Sequence, residues 1–96
     1  MSNAAKPSNN FAKALKLVRK SKDLSQEDFS LLSSRTYVSY LERGIKSPTL
    51  SKIDDLAAVA GVHPLTLLTL SYLRTADTDA VSRVLELVAD EISALE

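Results

Sequence analysis

The chain has no cysteine, no tryptophan and only one histidine, His63. Without cysteine it has no disulfide, no thiolate zinc ligand and no thiol nucleophile. A single histidine also argues against a catalytic triad or a multi-histidine metal site, so we expect no metal, no cofactor and no enzymatic activity. Two glycines and three prolines in 96 residues disfavour a disordered chain and a turn-rich all-β fold.

Long apolar segments are also missing. No run approaches the roughly 20 apolar residues needed to span a bilayer. Residues 1–9 are small and polar and lack the apolar centre of a signal peptide, so we expect a disordered tail there. These features predict a single cytoplasmic domain that has no membrane partner.

The charges are balanced overall but divided along the chain. Residues 1–52 contain ten lysines and arginines against four acidic residues, whereas residues 53–96 contain two against eight. A basic half suits a polyanionic partner, and the acidic half would then face away from it. The alternative is that mixed charges merely keep a small domain in solution, and charge alone does not decide between the two.

Apolar residues recur at helical spacing along the rest of the chain, which predicts an all-α fold. Ser25 and Ser34 are suited to cap helices, with Leu24 and Phe29 placed as a hydrophobic staple, and Gly44 and Gly61 are suited to end helices. In the fourth helix, one face combines Leu50, Ile53, Ala57 and Ala60. His63 is interpreted as a cap or surface residue. The predicted helices cover residues 10–22, 26–32, 35–43, 50–60, 64–73 and 79–95.

The second and third predicted helices are short and joined by a tight turn, which is the helix-turn-helix plan. In that plan the second helix of the pair enters the DNA major groove with its N-terminus first. Arg35 could then bind guanine through two hydrogen bonds, and Thr36 could present its methyl group to thymine. Ser39 and Tyr40 lie on the same front face. The alternative is that these side chains are only solvated or touch phosphates.

Several short motifs in fixed order resemble the phage repressor-like helix-turn-helix family, also called the Xre or Cro/repressor family. Restriction–modification controllers and small phage or plasmid regulators are the most similar in character. The resemblance covers about residues 11–70 and implies a five-helix DNA-binding domain over residues 10–73 that acts as a homodimeric transcriptional regulator. The motifs are Ser25-Gln26-Glu27, Glu42-Arg43-Gly44, Ser47-Pro48, Leu56-Ala57 and Gly61-Val62.

The resemblance also implies roles for individual residues. It makes Arg19 and Glu42 a structural ion pair between the first and third helices. It makes Gln26 a phosphate contact; the alternative is an ordinary residue at a helix start. Tyr37, by its own chemistry, could bond a phosphate or brace the turn. The residues after the third helix would touch the DNA backbone, or would simply form a polar loop. The predicted backbone contacts are Gln26, Ser34, Tyr37, Arg43, Lys46, Ser47 and Thr49.

The chain departs from the family pattern in two places. About two residues are missing between Gln26 and Glu42, and the usual turn glycine is absent, so residues 32–35 must form the whole turn. Either the second helix is shorter or the turn is tighter, and the recognition helix could sit at an altered angle. Ser47 stands where the family often has asparagine.

Residues 74–96 form a C-terminal sixth helix in this prediction, whose apolar residues are spaced four and three apart, as in a coiled coil. This seam could pack within the chain or pair with a second copy, and we expect a homodimer on a palindromic operator in double-stranded DNA. We therefore predict a repressor or controller without a small-molecule substrate; the alternative is an antitoxin or interaction module whose main partner is another protein. The predicted dimerisation residues are Leu70, Leu73, Val81, Leu85, Val88, Ile92 and Leu95.

Overall fold

A computed structural model describes residues 9–30 and 34–96, and all regular structure in these segments is helical. The predicted all-α class is confirmed, including the C-terminal helix. Residues 1–8 of the predicted tail (residues 1–9) and residues 32 and 33 of the predicted turn (residues 32–35) lie outside the described residues. The helices are α1 (Phe11–Ser21), a short 3-10 helix (Gln26–Phe29), α2 (Arg35–Glu42), α3 (Leu50–Ala60), α4 (Pro64–Ser71) and α5 (Thr78–Ser93).

A single apolar core joins the 3-10 helix to the first four α-helices. Phe29, Leu15, Leu56 and Leu67 are fully buried in it and come from four different helices. The backbone N–H of Asn10 donates to the carbonyl of Ser71 at 2.6 Å, which ties the start of α1 to the end of α4. The buried apolar residues are Ala14, Leu15, Val18, Phe29, Val38, Leu41, Ile53, Leu56, Ala57, Ala60 and Leu67.

The predicted helix ends are present. The hydroxyl of Ser34 accepts from the backbone N–H of Tyr37 at 3.0 Å and so caps α2. His63 Nδ1 accepts from the N–H of Leu65 at 3.0 Å, so the only histidine is a helix cap. Gly61 ends α3 with a φ of 72°, a left-handed conformation that glycine adopts without a steric penalty.

The second predicted helix is wrong in type. The sequence predicts an α-helix over residues 26–32, of which 31 and 32 lie outside the described residues. In the described part, Gln26–Phe29 forms a 3-10 helix whose i to i+3 bonds include Ser30 N–H to Glu27 carbonyl at 2.9 Å. A 3-10 helix rises about 2.0 Å per residue against 1.5 Å for an α-helix. Within this 3-10 helix the side chain of Phe29 is fully buried in the core.

Leu50 is the second correction. It was placed on the buried face of its helix, but it is 73% exposed. It is the first residue of α3 and precedes the part of the helix that packs on the core, which begins at Ile53. Leu56 and Ala57 complete the buried face instead.

No helix in residues 9–30 and 34–96 is long and apolar enough to cross a membrane by itself. α3 and α4 pass that test only as a pair, and they are bent by 109° at their junction. Their apolar side chains Ile53, Leu56 and Leu67 lie in the core of the fold.

The carboxylate of Asp77 caps the start of α5. Asp77 accepts from the hydroxyl of Thr75 and from the backbone N–H of Ala80, and these hydrogen bonds lower the pKa of its carboxyl below the usual range. A carboxyl group whose pKa is lower in the folded state than in the unfolded state stabilises the fold at pH values above its unfolded-state pKa of about 4. This stabilisation is lost as the pH falls through the lowered, folded-state pKa. We expect the first turn of α5 to fray in that acidic range.

Amide hydrogen exchange of Ala80, followed by NMR against pH, measures this fraying. Asp77→Asn is the control, because its side chain does not ionise and its first turn should show no matching acid transition. The same transition in both proteins would mean that Asp77 is not its source.

Candidate nucleic-acid interface

The N-terminal half of α2 presents polar side chains to solvent. Ser34, Arg35 and Thr36 are exposed, and Ser39 and Tyr40 are half-buried. On the opposite side of the same helix, Val38 and Leu41 are buried in the core. The apolar side therefore fixes the rotation of α2 about its axis, and the predicted base-contacting residues lie together on its outer and leading surface.

A partly buried ion pair holds α2 against α1. Arg19 Nε and Nη2 donate to the two oxygens of Glu42 at 2.6 and 2.9 Å, and Arg19 Nη1 donates to the carbonyl of Leu24 at 2.9 Å. The side chains of Arg19 and Glu42 are 12% and 4% exposed. The hydrogen bond to Glu42 raises the pKa of Arg19, against the opposing effect of burial. This bidentate pair, which we call the clamp, connects α1 to the end of α2.

Gln26, the predicted phosphate contact, joins this pair. Its Nε2 donates to Glu42 Oε1 at 3.2 Å, which connects the 3-10 helix to the end of α2. A primary amide carries two N–H donors, so one remains for another acceptor. Gln26 is half-buried and lies at the start of its helix, where a phosphate would also meet unsatisfied backbone N–H groups.

Aromatic rings and cations alternate beside the end of α2. The Nζ of Lys46 lies 5.9 Å from the ring centroid of Tyr37 and 5.6 Å from that of Tyr40. Lys52 Nζ lies 5.6 Å from the Tyr37 ring, and Arg43 Cζ lies 5.8 Å from the Tyr40 ring. These contacts are within cation–π range. They group three positive charges around two tyrosines, and we call this set the tyrosine–cation cluster.

The loop after α2 carries the remaining predicted backbone contacts. Arg43, Lys46, Ser47 and Thr49 are all exposed. The Thr49 hydroxyl accepts from the N–H of Lys52 at 3.1 Å and caps α3. A hydroxyl that accepts as a cap still has its own hydrogen to donate, so capping and phosphate contact are compatible.

Sequence reasoning missed two residues of this surface. Glu27 Oε1 accepts from Arg35 Nη1 at 3.2 Å, so an acidic side chain lies beside the leading arginine of α2. Lys52 belongs to the tyrosine–cation cluster although it lies on α3. In the sequence, only the charges of Glu27 and Lys52 could have pointed to these contacts. Both contacts depend on how separate helices are arranged in the fold.

A model of the helix-turn-helix family matches residues 15–67, more than half of the chain. The chain belongs to the Xre-like, Cro/CI-type helix-turn-helix family. The resemblance inferred from the sequence is thereby confirmed. Members of this family are DNA-binding regulators and are not typically enzymes. No curated protein and no solved structure matches the chain.

The matched residues include the clamp and α2. They also include the 3-10 helix, α3 and the tyrosine–cation cluster. This helix-turn-helix protein is therefore a DNA-binding regulator. α5 lies beyond the matched residues.

The helix-turn-helix protein carries a largely uncovered apolar face on α5. No residue of α5 is buried, and its seam residues Leu85, Val88 and Ile92 are between 43% and 57% exposed. Leu95, the last residue of the predicted seam, lies beyond the end of α5 at Ser93 and is 84% exposed. At its start the seam faces α4 across a groove of about 400 Å³, whose lining includes Leu70 and Leu85. Past that groove the seam has no buried contact within the described part of the chain. The predicted residues Leu70, Leu73 and Val81 are half-buried.

Proposed function

We propose that this protein regulates transcription in the cytoplasm, as a repressor or controller, by binding a palindromic operator as a homodimer. The observation that carries the proposal is the leading surface of α2. Its exposed polar residues stand beside the tyrosine–cation cluster, so base-reading and phosphate-binding groups share one side of the domain. Base contacts confer specificity and phosphate contacts position the protein, and a specific regulator needs both.

The charge distribution supports this orientation. Arg35, Arg43 and Lys46 lie on or next to α2, whereas α5 carries Asp79, Glu86, Asp90 and Glu91 against a single arginine. Polyanionic DNA attracts the first surface and repels the second. α2 therefore faces the duplex in the proposed complex, and α5 lies away from it.

The seam of α5 supports the homodimer. An exposed row of large apolar side chains at coiled-coil spacing loses contact with water when it pairs with an equivalent row. A two-fold axis through such a contact brings two recognition helices to one side of the duplex, and the half-sites of a dimer lie about 34 Å apart. In this proposal, both the groove beside α4 and the uncovered seam belong to the subunit interface.

Arg35→Ala tests the proposal directly. Selection from a random duplex library with the unchanged protein should enrich two inverted half-sites about one helical turn apart. On that enriched duplex, the variant should bind about tenfold more weakly or worse, because a bidentate arginine–guanine contact is lost. Its affinity for a random duplex should change much less. Equal losses on both duplexes would remove Arg35 from the base contacts.

Lys46→Ala is the matched comparison for this experiment. Each variant loses one exposed cation near α2, but Lys46 is assigned to the phosphate backbone. The Lys46→Ala variant should bind both duplexes more weakly. The slope of its log affinity against log salt concentration should be smaller by about 1, since one fewer ion is released on binding. Failure of the unchanged protein to bind any duplex at low salt would reject the proposed function.

The second candidate is an interaction module, such as an antitoxin, whose main partner is another protein. The uncovered seam of α5 favours it, because that surface could equally bind an apolar face of a different chain. The mass of the purified protein in solution separates the two candidates. A dimer that forms through the seam supports the regulator, whereas a stable monomer with a free seam favours the interaction module.

A further inference from the structure

The start of the recognition helix carries an ion pair that the basic surface does not require. Glu27 lies on the 3-10 helix, and its carboxylate accepts from Arg35 Nη1 at 3.2 Å. We propose that Glu27 is a positioning residue that holds the guanidinium of Arg35 for base recognition and so sets the sequence specificity of the protein. This inference rests on the proposed function, in which Arg35 reads a base.

The two ion pairs at the junction of the 3-10 helix and α2 differ in burial. The side chains of Arg19 and Glu42 are nearly inaccessible, whereas those of Arg35 and Glu27 are 68% and 70% exposed. An exposed pair contributes little to stability, since water and salt screen it. The Glu27–Arg35 pair is therefore not needed to hold the fold together. Its place in front of α2 points to a role in binding.

The geometry of the pair leaves the reading edge of Arg35 available. Glu27 contacts Nη1, and within the described residues that carboxylate is the only side-chain partner of Arg35. Nε and Nη2 form the adjacent edge of the planar guanidinium, which carries two parallel N–H donors. Guanine O6 and N7 accept such a pair of donors. Glu27 and a guanine can thus bind the same guanidinium at once, from different sides.

A long arginine side chain loses conformational freedom when it binds a base, and this loss reduces affinity. A partner that already limits its rotamers lowers that cost for the one orientation in which Arg35 meets guanine. The same carboxylate repels the phosphates of every duplex, whatever its sequence. The ratio of operator affinity to random-duplex affinity therefore isolates the positioning effect, because the repulsion lowers both affinities.

Glu27→Gln is the test variant, since it keeps the shape of the side chain and removes its charge. Affinities are measured on the duplex enriched by the unchanged protein and on a random duplex of the same length. We expect the ratio of the two affinities to fall about fivefold, because the variant loses only the prior ordering of one side chain and not the base contact itself. Glu86→Gln on α5 is the control, because it makes the same change in net charge at an exposed position outside the interface, and its ratio should stay unchanged.

A double-variant cycle decides whether Glu27 acts through Arg35. In the Arg35→Ala background, Glu27→Gln should change the ratio by less than about twofold, because the positioned group is gone. An unchanged ratio in the single variant would overturn the inference while leaving the proposed function intact. The same fall in both backgrounds would also overturn it, since Glu27 would then act on DNA directly. No enriched duplex for the unchanged protein would reject both proposals.

Discussion

Glu42→Ala is expected to lower the free energy of unfolding by about 3 kcal/mol, the range found when one partner of a buried ion pair is removed. Arg19 would keep its charge but lose both carboxylate contacts in a site where its side chain is only 12% exposed. Gln26 would lose its acceptor at the same time. Small domains are stable by only about 5–15 kcal/mol, so the change should be large.

Urea unfolding followed by circular dichroism measures this loss. The double variant Arg19→Met with Glu42→Leu should recover most of it, since replacing both partners by apolar residues removes the unpaired charge. Glu27→Ala is the exposed-pair control and should have a much smaller effect, because Glu27 and Arg35 are largely exposed. A loss for Glu42→Ala no greater than that for Glu27→Ala would show that the clamp does not stabilise the domain.

Ile92→Asp is expected to separate the proposed dimer into monomers and to weaken operator binding about a hundredfold. The substitution places a charge within the apolar seam of α5, where the partner helix would have to exclude water from it. A monomer then binds each half-site independently. It loses the gain in affinity that comes from linking two binding sites, which is on the order of a hundredfold or more. Sedimentation gives the mass, and titration of the enriched duplex gives the affinity.

Ser93→Asp is the matched control for this variant. It introduces the same charge in the last turn of α5, on a residue outside the predicted seam. It should remain a dimer and bind the operator normally. Ile92→Asp should keep the affinity of the unchanged protein for a single half-site, because α2 is untouched. A dimeric Ile92→Asp protein with full operator affinity would remove the α5 seam from the proposed interface.

Local sequence chemistry was sufficient to predict most of the helices. The 3.6-residue spacing of Leu15 and Val18 in α1, and of Val38 and Leu41 in α2, marks the buried faces correctly. The hydroxyl of Ser34 and the left-handed Gly61 mark helix ends, because capping depends on residues that are neighbours in the chain.

The sequence-based predictions were less accurate where they depended on the length of a connecting segment or on where the core ends. Periodicity placed Leu50 with Ile53, but only the packed helices show that the core begins after the first turn of α3. The shortened segment before α2 allowed either a shorter helix or a tighter turn. Its described part is the 3-10 helix Gln26–Phe29, which is shorter than predicted.

The sequence by itself determined the all-α class and the family, because spacing, caps and ordered motifs are properties of the chain. Apart from the Arg19–Glu42 pair, which the family resemblance implied, only the tertiary structure decided which charges meet. Glu27 pairs with Arg35 and Lys52 lies over Tyr37 because separate helices are packed at particular angles around the core. Those angles arise from the fit of many buried side chains together, which no local pattern specifies.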